Sequence, residues 1–149
     1  MKSFSLLIIG ALSGCGQASV SGADSGVASS DAGAVVPTVF HGCTSEAFVD
    51  GRSGEREIGF GTARDSPALG YSPKCLIISA GQSATFVGNF SVHPLVPGEY
   101  HGTGGTLPTP IIRRDSGADN DVVTFQNPGI YPYFCDNHAP TMEGVIWVR

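Results

Sequence analysis

The segment FQNPGIYPYFCDNHAPTMEGVIWV, residues 125–148, decides how the rest of the sequence is interpreted. It holds two runs of apolar and aromatic residues on either side of a polar loop, and an Asn-Pro-Gly turn precedes the first run. The loop contains Cys135, His138 and Met142 with the spacing C-x2-H-x3-M. A thiolate, an imidazole and a thioether form a ligand set that suits copper in both of its oxidation states. The segment therefore predicts two strands joined by a loop that carries a soft-metal site.

Short β-like runs separated by turn residues fill most of the sequence upstream of this segment. The clearest example is CLIISAGQSATFVGNFSVH, residues 75–93, in which two β-rich runs flank the turn-forming AGQS. The chain has 21 Gly and 10 Pro, and only 14% of its residues are charged, which favours a turn-rich β protein. No segment shows helical periodicity with capping residues. We expect an all-β protein, a β-sandwich, in which Pro132 needs an outward-facing or edge position because it has no N–H to donate.

The ligand set on the loop is incomplete, because a trigonal copper site with one Cys needs two imidazoles. The best candidate for the second one is His93 in NFSVHPLVPG, at the end of a predicted strand. In a sandwich, a strand end from the middle of the chain can meet the loop between the last two strands. The other two histidines, His41 and His101, are interpreted as surface or loop residues.

Residues 71–148 resemble type 1 (blue) copper proteins, the cupredoxin family that includes plastocyanin, azurin and pseudoazurin. The motifs that carry the resemblance are ISAGQSATFVGNFSVHP and the segment quoted at the outset. The resemblance implies a Greek-key β-sandwich with one copper ion. It also implies the ligands: His93, Cys135 and His138 in the equatorial positions, and Met142 as the weak axial ligand.

The same resemblance implies a protein that shuttles single electrons between redox partner proteins and is not an enzyme. The alternative is a copper carrier or reservoir that delivers copper to an oxidase, although such proteins often have Met-rich or His-rich tracts and this chain has 2 Met and 4 His. A copper oxidase or reductase would need further copper sites, and the His-x-His and His-Cys-His patterns that supply them do not occur. We expect His138, with Pro94, Leu95 and Pro140, to form an apolar patch for a redox partner. Many relatives have Asn where this chain has Pro94, which lacks the N–H that would donate to the Cys sulfur.

The N-terminal sequence MKSFSLLIIGALSGC has the features of an export signal, since one Lys precedes a short apolar run. Its end, LSGC, resembles the bacterial lipobox, and the alternative is an ordinary signal peptide. We therefore expect residues 1–14 to be a lipoprotein signal peptide and Cys15 to be lipidated. Residues 15–37 would form a flexible linker rich in Ser, Gly and Ala, and residues 38–149 the copper-binding domain. The protein would be an exported monomer, periplasmic or on the cell surface, held to a membrane by its lipid.

The charge and the cysteines restrict the partners and the covalent framework. A net charge of −5 without any basic stripe argues against binding to nucleic acid. If Cys15 carries lipid, three of the four cysteines remain, and one of these must stay unpaired. Cys135 alone has His and Met close by, so we expect a disulfide between Cys43 and Cys75. A bond from Cys135 to one of these two is the alternative.

Overall fold

The computed structural model describes residues 40–102, 105–117 and 119–149, all within one unit that spans Ala34–Arg149. The predicted signal peptide, the lipidated Cys15 and the linker up to residue 37 lie outside the described residues. Within the described ranges, no helix is long and apolar enough to cross a membrane.

Nine strands are present in the described part of the chain, and they form two sheets. The strands are β1 (Val49–Asp50), β2 (Glu57–Phe60), β3 (Tyr71–Ser72), β4 (Cys75–Ile78), β5 (Ser83–Val87), β6 (Leu95–Pro97), β7 (Asn120–Thr124), β8 (Gly129–Cys135) and β9 (Glu143–Val148). The first sheet has five strands in the order β1-β4-β9-β8-β6, and the second has four in the order β3-β2-β5-β7. The all-β class and the Greek-key sandwich predicted from the sequence are confirmed.

The core lies between the two sheets and is rich in aromatic side chains. In β5 every second residue is buried, namely Ala84 and Phe86, as expected of a strand with one face on the core. The ring of Tyr133 on β8 meets Phe86 across the sandwich at 5.0 Å between centroids, with an edge-to-face geometry. Burial of each such ring contributes about 1.5–3 kcal/mol. The aromatic contacts therefore hold β8, and the loop that follows it, in a fixed position on the opposite sheet.

The two strands of the segment 125–148, β8 and β9, pair with each other, and β9 also pairs with β4. β8 and β9 are antiparallel, with Pro132 opposite Val145, and β4 runs parallel to β9. Pro132 is buried rather than outward-facing, but it lies just beyond the last residue that pairs with β6. Its carbonyl accepts a hydrogen bond from Gly98 N–H at 2.9 Å. This bond extends the register of β6 and β8 by one position, and Pro132 has no N–H to return a second bond to Gly98.

The disulfide between Cys43 and Cys75 is present, which confirms the predicted pairing, and Cys135 is a free, buried cysteine. The bond attaches the segment before β1 to the first residue of β4. Cys75 in turn pairs with Val145 near the start of β9. The alternative bond from Cys135 to either of these cysteines is therefore not formed.

Candidate metal centre

The candidate centre lies at the end of the five-stranded sheet where β8 ends and β9 begins. Cys135 is the last residue of β8, while His138 and Met142 belong to the loop that leads into β9. His93 lies two residues before β6. Because Leu95 of β6 pairs directly with Cys135, the ladder brings His93 to the same end of the sheet. Hydrogen-bonded strand pairing thus joins two segments that are far apart in the sequence.

Three donor atoms converge at this place. The Cys135 Sγ atom lies 3.2 Å from His138 Nδ1 and 3.9 Å from His93 Nδ1, and the two Nδ1 atoms are 3.2 Å apart. Among the described residues this is the group of His, Cys, Asp or Glu side chains that could hold a metal ion. Two imidazole nitrogens and one sulfur that face a common point fit the trigonal donor set of a type 1 copper site.

The burial of these groups controls their protonation. Burial raises the pKa of the Cys135 thiol, while hydrogen bonds from the backbone of Asn137 and His138 act in the opposite direction. Burial and, after it, the neighbouring His138 lower the pKa of His93. Metal binding requires a thiolate and neutral imidazoles. His93 is thus already biased towards its ligating form, whereas a bound cation has to displace the thiol proton of Cys135.

The loop folds back on itself and buries Met142 next to the cysteine. Cys135 N–H donates to the Met142 carbonyl at 2.9 Å, and Met142 N–H donates to the His138 carbonyl at 3.0 Å. The side chains of Cys135 and Met142 are both fully buried in the main core cluster. Met142 therefore lies on the buried, sandwich side of the loop.

The turn that carries His93 is held by Asn89. The Asn89 side-chain oxygen accepts hydrogen bonds from the backbone N–H groups of Ser91 and Val92, at 3.0 and 3.3 Å. The Asn89 carbonyl accepts from His93 N–H at 3.0 Å. This turn presents the His93 ring with its Nδ1 atom towards Cys135, and the opposite side of the ring lies against Gly61.

Gly61 is a residue of the site that sequence reasoning missed. A Cβ atom at this position would lie 2.7 Å from His93 Cδ2 and 2.8 Å from His93 Nε2, and the backbone has φ +59°. In the sequence, Gly61 directly follows the apolar end of a predicted strand in GFGT. This position indicates a turn, but it does not indicate that the His93 ring lies against the glycine. The contact joins two segments that are distant in the sequence.

We expect Gly61→Ala to displace the His93 ring and to weaken copper binding about 10-fold, the lower end of the effect of removing a supporting contact. The control is Gly81→Ala, because Gly81 also has positive φ, +84°, but has nothing within 4 Å of its Cβ position. Both variants should lose about 1–2 kcal/mol of stability from the left-handed backbone. Copper titrations and thermal unfolding of the two proteins separate the effects. Equal copper affinity in both variants would show that Gly61 does not position His93.

The surface next to His138 differs from the predicted patch. Leu95 is completely buried and Pro94 is also buried, so the expectation that they contribute to a docking patch is wrong. Val92 is instead 51% exposed, and Pro140 is exposed as predicted. Strand pairing explains the difference, because Leu95 opposite Cys135 has to point into the core. We call Val92, Ala139 and Pro140 the apolar rim of the half-buried His138.

The other two histidines lie outside the donor cluster. His101 is exposed and packs against Tyr100, with ring centroids 4.0 Å apart and ring planes tilted by 48°. His41 lies in a turn, which is consistent with its interpretation as a surface or loop residue, but its side chain is only 7% exposed. Its Nδ1 atom hydrogen-bonds the Gly144 carbonyl at 3.2 Å. His41 therefore attaches the N-terminal part of the domain to the start of β9.

The chain is similar to several known proteins. No protein-family model matches the chain. A chloroplastic plastocyanin of Physcomitrium patens is 35% identical over an alignment of 89 residues. The alignment covers 56% of this chain and 53% of that protein, so the chain spans about half the length of this relative. Similar solved structures include a purple cupredoxin of Nitrosopumilus maritimus, which is 26% identical and has a TM-score of 0.46. The match covers 64% of this chain and 100% of that chain. A copper-containing nitrite reductase of Thermus scotoductus is 21% identical and has a TM-score of 0.45. The match covers 70% of this chain and 28% of the reductase chain.

Over the matched residues the chain is similar to plastocyanin, a cupredoxin, and the structure has a β-sandwich with a cluster of two histidines and a cysteine. Cupredoxins bind one copper ion. His93, Cys135 and His138 are arranged as a possible type 1 copper site.

Proposed function

We propose that this protein is an electron carrier that shuttles single electrons between redox partner proteins. The observation that carries the proposal is the convergence of Cys135 Sγ with the Nδ1 atoms of His93 and His138, all within 4.8 Å of one another. These three residues would be the equatorial ligands of one copper ion, and the buried Met142 would be the weak axial ligand. Copper held in this way supplies a one-electron couple between Cu(I) and Cu(II).

The residues of the chain hold the donors in place and keep water away. Cys135 ends a seven-residue strand that is paired on both sides, by β9 and by β6. A donor on a rigid element moves little when charge is added or removed, so both oxidation states can be held by nearly the same geometry. The burial of Met142 and Cys135 excludes solvent from the sandwich side of the site. Only His138 reaches towards the surface.

The apolar rim is the proposed contact for redox partners. It adjoins His138, because Ala139 and Pro140 follow this residue and Val92 is hydrogen-bonded to the same loop through its carbonyl. An apolar surface beside the most accessible ligand lets a partner approach closely without having to desolvate charged groups. We therefore propose that electrons enter and leave through His138.

We further propose that the protein works outside the cytoplasm as a lipid-anchored monomer. The support is in the sequence, where the order of residues in LSGC indicates lipidation of Cys15 after a signal peptide of residues 1–14. Residues 15–37 would be a flexible linker, and residues 38–149 the domain that reaches periplasmic or cell-surface partners. The proposal assigns no enzymatic reaction, because the sequence lacks the His-x-His and His-Cys-His patterns of multicopper catalysis.

The test uses a soluble chain that begins at Gly16. We expect one equivalent of Cu(II) to produce an intense blue thiolate-to-copper absorption and a reversible one-electron wave in voltammetry. Colourless, weak and rapidly exchanging binding would instead support the copper carrier that delivers its metal to an oxidase. Failure to bind copper at all would contradict both functions.

A further inference from the structure

Two hydrogen bonds flank His93 and join its segment to the ligand loop. The Val92 carbonyl accepts from the side-chain amide of Asn137, with Nδ2 and O 3.0 Å apart. The Pro94 carbonyl accepts from Asp136 N–H, also at 3.0 Å. The carbonyl groups of the residues on both sides of His93 therefore accept hydrogen bonds from two consecutive residues, which lie between Cys135 and His138.

The two bonds differ in how they depend on the sequence. The Asp136 bond uses a backbone N–H, which almost any residue at that position would supply. The Asn137 bond uses a side chain, and it reaches a residue 45 positions away rather than the local backbone. Asn is a common turn-forming residue in loops, but a turn-forming Asn bonds its own neighbouring backbone. Its amide instead connects two separate segments of the chain.

This connection lies next to both imidazoles. His93 and His138 are held on different segments, and their Nδ1 atoms are 3.2 Å apart. Asn137 directly precedes His138, and Val92 directly precedes His93. The bond therefore joins the residues immediately before the two histidines.

We propose that Asn137 is a positioning residue, whose side-chain amide fixes the ligand loop to the His93 segment and keeps the two histidines and Cys135 converged without the metal. The inference rests on the proposed function, because the converged residues are the proposed copper ligands. Asn137 is exposed and contributes nothing to the core, so its replacement leaves the packing of the sandwich intact. Its effect should therefore appear in the site and not in the fold.

The first experiment needs no copper. In the metal-free chain that begins at Gly16, NMR relaxation should show residues 91–94 and 136–140 as rigid as the strands. Asn137→Ala removes the amide, and Asn137→Asp keeps the size but replaces the donor with an acceptor that repels the Val92 carbonyl. We expect both variants to broaden the signals of these two segments only, and to keep the melting temperature of the unchanged protein.

The second experiment measures the rate at which a chelator removes copper from the loaded proteins. We expect this rate to rise about 10-fold in both variants, as for other losses of contacts that support a ligand. Ser91→Asp is the control for charge, because Ser91 is exposed, adjoins Val92 and leaves the Asn137 amide in place. It should lose copper at the unchanged rate.

The outcomes separate this inference from the proposed function. Rigid segments in both metal-free variants, or an effect in Asn137→Asp but not in Asn137→Ala, would overturn the role of Asn137. Such a result would leave the copper site intact if the unchanged protein turns blue. If the unchanged protein takes up no copper, the proposed function fails, and the NMR comparison still decides whether Asn137 holds the two segments together.

Discussion

Cys135→Ser is expected to abolish the intense blue absorption that copper(II) produces in the unchanged protein. The colour requires a thiolate bound to the metal, and Cys135 is the free cysteine among the described residues. A serine hydroxyl fits the same fully buried space but remains protonated and is a poor ligand for copper. Copper affinity should fall by more than the roughly 10–100-fold that the loss of an outer supporting contact costs. Absorption spectra during a copper titration measure both quantities.

Met142→Leu is the matched control, because it replaces the other buried sulfur residue of the same loop. Leu and Met have similar volumes, so the exchange costs less than about 1.5 kcal/mol of stability. A weak axial ligand can be lost while the thiolate bond remains, so this variant should stay blue with a shifted reduction potential. Blue colour in Cys135→Ser would show that the metal is held elsewhere. Loss of all colour in Met142→Leu would show that Met142 is more than a weak ligand.

The double variant Cys43→Ala/Cys75→Ala is expected to lose roughly 3–4 kcal/mol of unfolding free energy. The bond joins residues 32 positions apart, and its removal gives the unfolded chain the freedom of a long open loop. Alanine is used because both cysteines are buried and a serine hydroxyl would have no partner there. Denaturant unfolding of the metal-free protein gives the difference in free energy.

Reduction of the disulfide in the unchanged protein is the control for this experiment. Reduced wild-type protein keeps both sulfur atoms in the core and loses only the covalent bond, so the two measurements separate the bond from the packing of its atoms. A loss below about 1 kcal/mol in both samples would mean that the segment before β1 keeps most of its order without the bond.

The sequence contained most of the site because the relevant information is local. Cys135, His138 and Met142 are close in the chain, and His93 follows a recognisable strand, β5, although it lies in the turn before β6 and not at the end of a strand as predicted. The features that could not be predicted from the sequence depend on strand register and on contacts between distant segments. Leu95 is buried because it pairs with Cys135, and a slip of one residue would have turned it outward.

Two further residues show the same limit. The burial of His41 depends on its contact with Gly144, 103 positions away in the chain. The need for glycine at position 61 depends on the His93 ring. Neither contact leaves a periodic signal in the sequence, because each joins segments whose separation is set by the whole topology.

The parallel pairing of β4 with β9 has a consequence for how the protein folds. Cys75 meets Val145 across this pair, so the chain between them has to be closed into a large loop before the ladder can form. Proteins dominated by such distant contacts fold in milliseconds to seconds rather than microseconds. Three of the four proposed ligands lie at the end of β8 or in the loop before β9. A growing chain therefore cannot complete the donor cluster until the end of β8 and the loop before β9 have been synthesised.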